Sequence, residues 1–281
     1  MELSYWEHKS WFSHVDFTII GSGIVGLNCA ISLKEKYSKC NILILEKGSL
    51  PQGASTKNAG FACFGSASEI LADLEHHSEE QVVQLVQKRW KGIQRLRNLL
   101  GDNALGFELH GSHELFPLEK PDFYDKCLES VPYLNDLMES VFGQKPFVTN
   151  SNIFEFSNIQ EKYITHRLEG QLDTGKMMRS LIQKCLGMEI PILNGVLVEE
   201  VIESNEGATI KTKDFEFASR KVFVATNGFA SKLIQSETVK PARAQVLVTE
   251  PIKNLRIKGT FHFDEGYYYF RNIDKRILFG G

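Results

Sequence analysis

The chain has 281 residues, 42% hydrophobic and 24% charged, with a formal net charge of -3. That length buries one large core or two smaller ones, and the slightly acidic balance gives no electrostatic reason for a nucleic-acid partner. Cys29, Cys40, Cys63, Cys127 and Cys185 are odd in number and lack any CxxC spacing, which points to reduced thiols in a cytoplasmic protein, and no apolar run reaches the roughly 18 residues that span a bilayer.

The stretch Met1 to His14 is broken by Glu2, Glu7, His8 and Lys9 and does not read as a signal peptide. Trp6, Trp11 and Phe12 are expected to dock on the domain rather than on a membrane surface. Next comes a βαβ unit. A strand, Val15 to Ile20, passes into Gly21-Ser22-Gly23-Ile24-Val25-Gly26. A helix follows from about Ser22 to Tyr37, with Leu27, Ala30 and Ile31 on one face, and a second apolar strand, Ile42 to Leu45, ends on Glu46. Gly21 permits the tight turn, Gly23 leaves room for a pyrophosphate, and Gly26 lets the helix lie close on the sheet. Phosphates would sit at the helix N-terminus, and Glu46, about 20 residues further on, would accept from ribose hydroxyls.

Lys47 to Pro51 is a loop, and Gln52 to Phe61 is a run of mostly small residues whose backbone can approach a flat ligand. Ser78 and Gln81 form a capping box for a long helix that Gly101 stops. Phe107 to Phe116 reads as two short strands turning at Gly111-Ser112. Pro121 starts a helical stretch that Pro132 is expected to split. His110 and His113 are too sparse for a metal site, and none is expected. Thr174 opens a helix with Met177 and Met178 as core filler, ended by Gly187. Strands are expected at Val196 to Ile202, Ala208 to Thr212, Phe215 to Phe217, Arg220 to Val224, Ala244 to Thr249, Thr260 to Phe263, Tyr267 to Arg271 and Arg276 to Phe279. With no repeat or linker, a second domain must be interleaved with the first.

One such fingerprint serves NAD and FAD alike. Two further backbone walls, Asn58 to Phe61 and Ala225-Thr226-Asn227-Gly228, suit a flavin better than a mobile nicotinamide. The sequence here resembles the D-amino-acid oxidase-like family of FAD-dependent amine and amino-acid oxidoreductases. The likeness lies in the glycine fingerprint with Glu46, in Gly53 to Phe61, in Gly170 to Met177, in Ala225 to Gly228 and in Tyr269-Phe270-Arg271 to Leu278-Phe279-Gly280-Gly281. The small-residue loop and the ending look most like the glutamylputrescine oxidoreductase branch.

The resemblance implies an α/β fold in two layers: a Rossmann-like FAD-binding domain, residues 1–100 and 166–240, and an interleaved mixed-sheet substrate domain, residues 101–165 and 241–281. It implies that Gly21, Gly23 and Gly26, with Ile24 and Val25, hold the pyrophosphate, and that Glu46, with Lys47 beside it, holds the ribose. Ser55, Thr56, Lys57, Asn58, Ala59, Gly60 and Phe61 would lie along the ribityl chain and isoalloxazine. Val198 would touch the adenine, and Ala225, Thr226, Asn227 and Gly228 would complete the wall. Thr56-Lys57 stand where many relatives have Gly-Arg. No histidine or cysteine in the loop matches a covalent attachment, so FAD is expected to be non-covalent.

The implied chemistry is hydride transfer from the α-carbon of an amine or amino acid to flavin N5, which leaves an imine that hydrolyses; oxygen, a quinone or another carrier would take the electrons. Such a reaction needs orientation more than a general base. Tyr267, Tyr269 and Arg271 alternate onto one strand face, where the guanidinium could pair with a carboxylate; the competing reading is an aromatic core strand with Arg271 solvated. Arg243 and Gln245 are second choices. Relatives continue beyond the Gly281 position with a segment that returns to the FAD domain, so the chain is expected to be either a fragment of a longer polypeptide or a shortened protein with an open active site, and in both cases weak FAD binding and poor turnover are expected. Two other readings share the fingerprint: a non-catalytic nucleotide-binding protein and an NAD(P)H-dependent flavin hydroxylase.

Overall fold

The computed structural model describes residues 3–234 and 239–281, so Met1 and Glu2 of the N-terminal reading lie outside it. The chain divides into two compact units: the part up to Asn58 with Thr174–Arg243, and Ala59–Asp173 with Ala244–Gly281. The units interleave along the chain, the second unit's first segment lying between the two segments of the first. Residues 59–100 belong to the second unit. There the helices Ala67–His76 and Glu79–Leu100 bury Ala67, Ile70, Val82 and Val86 in one cluster with Cys127, Leu134 and Met138.

The first unit is built on a six-stranded sheet in the order Ile192–Asn194, Ile42–Glu46, Val15–Ile20, Glu216–Val224, Gly207–Thr212, Val198–Ser204. The first four strands are parallel and the last two antiparallel. Ile42–Glu46 is buried throughout, as a central parallel strand must be. The helix Ile24–Lys36 buries Gly26, Leu27, Ala30 and Ile31, and the helix Thr174–Gly187 buries Met177, Met178, Leu181 and Cys185. The two helices meet where the Cys185 thiol lies 3.8 Å from the Leu27 carbonyl. The predicted strands Phe215 to Phe217 and Arg220 to Val224 are one continuous strand, Glu216–Val224, because Glu216 to Ser219 pair with Gly207–Thr212 and Ser219 to Val224 with Val15–Ile20. The strand predicted from Val196 starts at Val198, and Ile192–Asn194 is an additional parallel strand. Of the N-terminal aromatics, Phe12 docks, its ring 4.6 Å from that of Phe215. Trp6, in the short helix Tyr5–Glu7, and Trp11, in the π-helical turn His8–Phe12, stay exposed.

The second unit carries a seven-stranded mixed sheet ordered Val246–Val248, Arg276–Gly280, Tyr268–Ile273, Thr260–Phe263, Ser112–Glu114, Lys162–His166, Phe147–Ser151. One face is aromatic: Phe154, Phe156, Tyr163 and Phe270 gather around the fully buried Phe261. A separate two-stranded ribbon pairs Phe61–Ala62 with Gly170–Gln171. Phe107 to Phe116 forms one strand, Ser112–Glu114, and an isolated bridge at Glu108, because Gly111 at φ +82° turns the chain between them. Pro132 does not split its helix, which runs unbroken over Pro121–Phe142. The helix buries Leu134 and Met138 completely and ties Asn135 to both backbone groups of Phe147, which outweighs the roughly 3 kcal/mol an interior proline costs.

Candidate cofactor-binding site

In the first unit the glycine turn is built as the spacing requires. Gly21 takes φ +105°, and a Cβ there would stand 2.7 Å from the Ala225 carbonyl oxygen; a Cβ on Gly26 would run into the carbonyl of Gly21 itself. The helix N-cap, Gly23, offers no side chain to cap the first turn, so that turn keeps its positive end for an anion. Ser55 approaches from the small-residue loop and accepts from the Ile24 amide at 2.9 Å. Val25 is 68% exposed beside it.

Glu46 is buried at the end of its strand. Its Oε2 accepts from the amide and the hydroxyl of Ser22 at 3.0 and 2.8 Å, and its Oε1 from the Gly48 amide at 2.9 Å. A carboxylate has about four lone-pair sites, so one remains for a ribose hydroxyl. Lys47 is exposed and holds its ammonium 4.5 Å above the Phe229 ring. Thr56 bonds to the Pro51 carbonyl at 2.7 Å, Asn58 donates to the Ala54 carbonyl at 3.1 Å, and Lys57 lies exposed between them. Val198 is buried at the start of its strand, and Ala225 to Gly228 lead from the Glu216–Val224 strand into a short turn where Asn227 takes φ +49°. The Thr226 hydroxyl is buried with no hydrogen-bond partner among the described residues.

In the second unit, Gly60 at φ +75° lies where a Cβ would meet the Arg271 guanidinium at 2.9 Å. Arg271 is 4% exposed, so the solvated reading fails; Nη2 donates to the Leu172 carbonyl at 3.1 Å and Nε has no partner among the described residues. Burial pulls its pKa below the usual arginine range, against the pull of Asp173 and Glu108. Tyr269 packs edge-on to Phe61, ring centres 5.3 Å apart. The alternation placed Tyr267 beside them, but the strand starts at Tyr268 and Tyr267, 66% exposed, belongs to the preceding turn, its amide bonded to the Asp264 carbonyl. Ala59 is half-buried at the head of this segment. Gln245 is exposed and its amide bonds to the Gly281 carbonyl; Arg243, the last residue of the first unit, is exposed too.

Two residues were not anticipated. Ser22 was passed over as the small residue inside the fingerprint, yet it is what fixes Glu46. Glu169 is fully buried, and its Oε1 accepts from the backbone amides of both Phe64 and Gly65. The signal available was an acid placed directly before the Gly170-Gln171 strand. Burial pushes its carboxyl up to about 7, although the two amides pull the other way.

Four parallel strands extended by an antiparallel pair, with a glycine turn and a locked acid, define the first unit as a dinucleotide-binding fold, joined in sequence to a second mixed-sheet unit. Residues 16–281 match the profile of the FAD dependent oxidoreductases (DAO), and the chain belongs to that family. It is 22% identical to the probable oxidoreductase OrdL of Haemophilus influenzae, over 95% of this chain and 64% of that protein, so it spans less than two thirds of that relative's length. Among solved structures it is similar to glycine oxidase from Geobacillus kaustophilus, with a TM-score of 0.72 and 18% identity over 94% of this chain and 70% of that one. It is also similar to L-proline dehydrogenase from P. horikoshii, with a TM-score of 0.71 and 16% identity over 95% and 69%.

Proposed function

We propose that this chain holds FAD non-covalently and serves the oxidation of the C–N bond of a small amine or amino acid. The observation that carries the reading is the glycine turn of Gly21, Gly23 and Gly26, uncapped by any side chain of its own and closed by a Glu46 that Ser22 fixes in place. The residues fit the cofactor. The turn has space where a Cβ would not go, Glu46 keeps an acceptor site, and the buried Thr226 hydroxyl lacks a partner among the described residues. Gly23, Ile24, Val25 and Ser55 would bind the pyrophosphate, Glu46 and Lys47 the ribose side, and Val198 the adenine. Thr56 to Asn58 and Ala225 to Gly228 would form the walls for the rest.

Bound FAD supplies a two-electron acceptor for the hydride on the carbon that carries the nitrogen. The protein's share is orientation and exclusion of water. Tyr269 stiffens Phe61 by edge contact, and Tyr267 offers an exposed hydroxyl to a substrate. Arg271, committed to the Leu172 carbonyl, supports the Gly60 turn rather than meeting a substrate carboxylate directly. The first unit would be the cofactor domain. The five unpaired cysteines fit a cytoplasmic setting, and no helix among the described residues is long and apolar enough to cross a membrane. The relatives' names include both an oxidase and a dehydrogenase, which leaves oxygen and a carrier as acceptors. The glutamylputrescine likeness rests on the sequence segments alone.

The test is to load the purified chain with FAD and mix it anaerobically with glycine, L-proline and a series of primary and secondary amines. Bleaching of the main visible flavin band by at least one of them is expected. A band that survives every amine but is bleached by NAD(P)H would overturn the proposal in favour of a hydroxylase.

A further inference from the structure

Dinucleotides bind outside the carboxyl ends of parallel strands, where the strand order reverses. In the first unit that place is the end of Val15–Ile20, which Ile42–Glu46 flanks on one side and Glu216–Val224 on the other, all three running parallel. The turn there is tied to both neighbours: the Gly21 amide donates to the Leu45 carbonyl and the Ala225 amide to the Ile20 carbonyl, each at 2.8 Å. One side-chain contact joins the two outer strand ends. Lys47, directly after one flanking strand, places its ammonium 4.5 Å from the ring centre of Phe229, in the turn that follows the other. The turn fixes the ring's position, since the Phe229 amide donates to the Thr226 carbonyl at 3.1 Å and the Ala230 amide to the Asn227 carbonyl at 3.0 Å. Lys232 brings a second ammonium to 5.9 Å from the same ring centre. Neither ammonium has a carboxylate partner among the described residues.

We propose that Phe229 is a positioning residue for the cofactor: its ring seats the Lys47 ammonium across the end of the Val15–Ile20 strand, where that charge meets the diphosphate of the dinucleotide. The inference rests on the FAD reading above, and every residue it uses belongs to the first unit. Glu46, the carboxylate next to Lys47 in sequence, is buried and turned to Ser22 and Gly48, so it does not hold the ammonium. A lysine head on a flexible four-carbon stem samples many orientations in water, and an aromatic face within about 6 Å selects one of them. Phe229 is suited to that task. It is 46% exposed and stands outside the core cluster of its unit, so the fold does not depend on its ring.

The test is a double-mutant cycle on the purified chain, with ADP as the probe and titration calorimetry as the readout. Phe229→Leu is expected to weaken ADP binding about threefold, the worth of a solvent-exposed cation–π contact, and Phe229→Trp to bind at least as tightly as the wild type. Lys47→Met is expected to weaken binding by more than Phe229→Leu does. Adding Phe229→Leu to Lys47→Met is expected to change nothing further, because the ring acts only through the ammonium. Should Phe229→Leu fail to fold, Phe229→Met takes its place in the cycle. Equal ADP affinity in Phe229→Leu and the wild type, a Phe229→Trp chain as weak as Phe229→Leu, or the same loss with and without Lys47 overturns the inference. A wild type that binds neither ADP nor FAD overturns the reading beneath it as well.

Discussion

Gly26 is the tightest position of the glycine turn, because a methyl group there meets the Gly21 carbonyl, which cannot swing aside as a flexible side chain would. Gly26→Ala is expected to cost about 2–4 kcal/mol and abolish FAD uptake, whereas Gly53→Ala, with nothing within 4 Å of its Cβ, should do neither; thermal melts and flavin fluorescence read both. His166 carries the clearest pH effect on the acid side. Its ring is boxed by Phe64, Phe142 and Phe147 at 5.7, 5.1 and 5.0 Å, and burial holds its pKa down at about 3 against a usual 6.5. The folded state therefore binds the proton less tightly than the unfolded chain does. Stability is complete above about 6.5 and is lost as pH falls toward 3, by several kcal/mol in order of magnitude. His166→Phe removes an imidazole nitrogen that lacks a partner among the described residues, so its stability should fall less between pH 6 and 4 than that of the wild type, by about half of the full linkage term, as a denaturation midpoint at each pH reads. At this scale the sequence was legible where backbone freedom dictates the residue, as at Gly21 and Gly26. It was not legible at Ser22 or Glu169, whose roles depend on partners 24 and about 100 residues away.

Among the elements, the helix Pro121–Phe142 shows how tertiary packing decides a local conflict. Pro132 is exposed on it, so Pro132→Ala is expected to restore the missing hydrogen bond without disturbing the core, gaining about 1–3 kcal/mol and raising the melting temperature by several degrees. A fall in melting temperature would show that the proline is needed where it stands. The predicted break followed the local rule correctly; what it lacked was the grip of Asn135 on Phe147. Strands with clean alternation, such as Gly207–Thr212 with Ala208 and Ile210 inward, could be read directly. The Tyr267 face could not, because alternation gives the phase of a strand but not its start. That start is set by a turn in which Asp264 and Glu265 both take φ +55°.

For the whole molecule, interleaving followed from the absence of a linker, while the border at Asn58 did not, since the small-residue loop crosses from one unit to the other with no change in composition. Ligand binding to the native state should stabilise the chain by about 2.7 kcal/mol at FAD one hundredfold above its dissociation constant. Without added FAD, a melt is expected to occur several degrees lower. The most direct measurement is an equilibrium titration of the purified chain with FAD, followed by flavin fluorescence, with ADP as competitor. The account predicts saturable uptake of one FAD per chain, displaced by ADP because the glycine turn and Glu46 hold the adenosine and pyrophosphate half. A flat titration, or FAD binding that ADP leaves untouched, would contradict it.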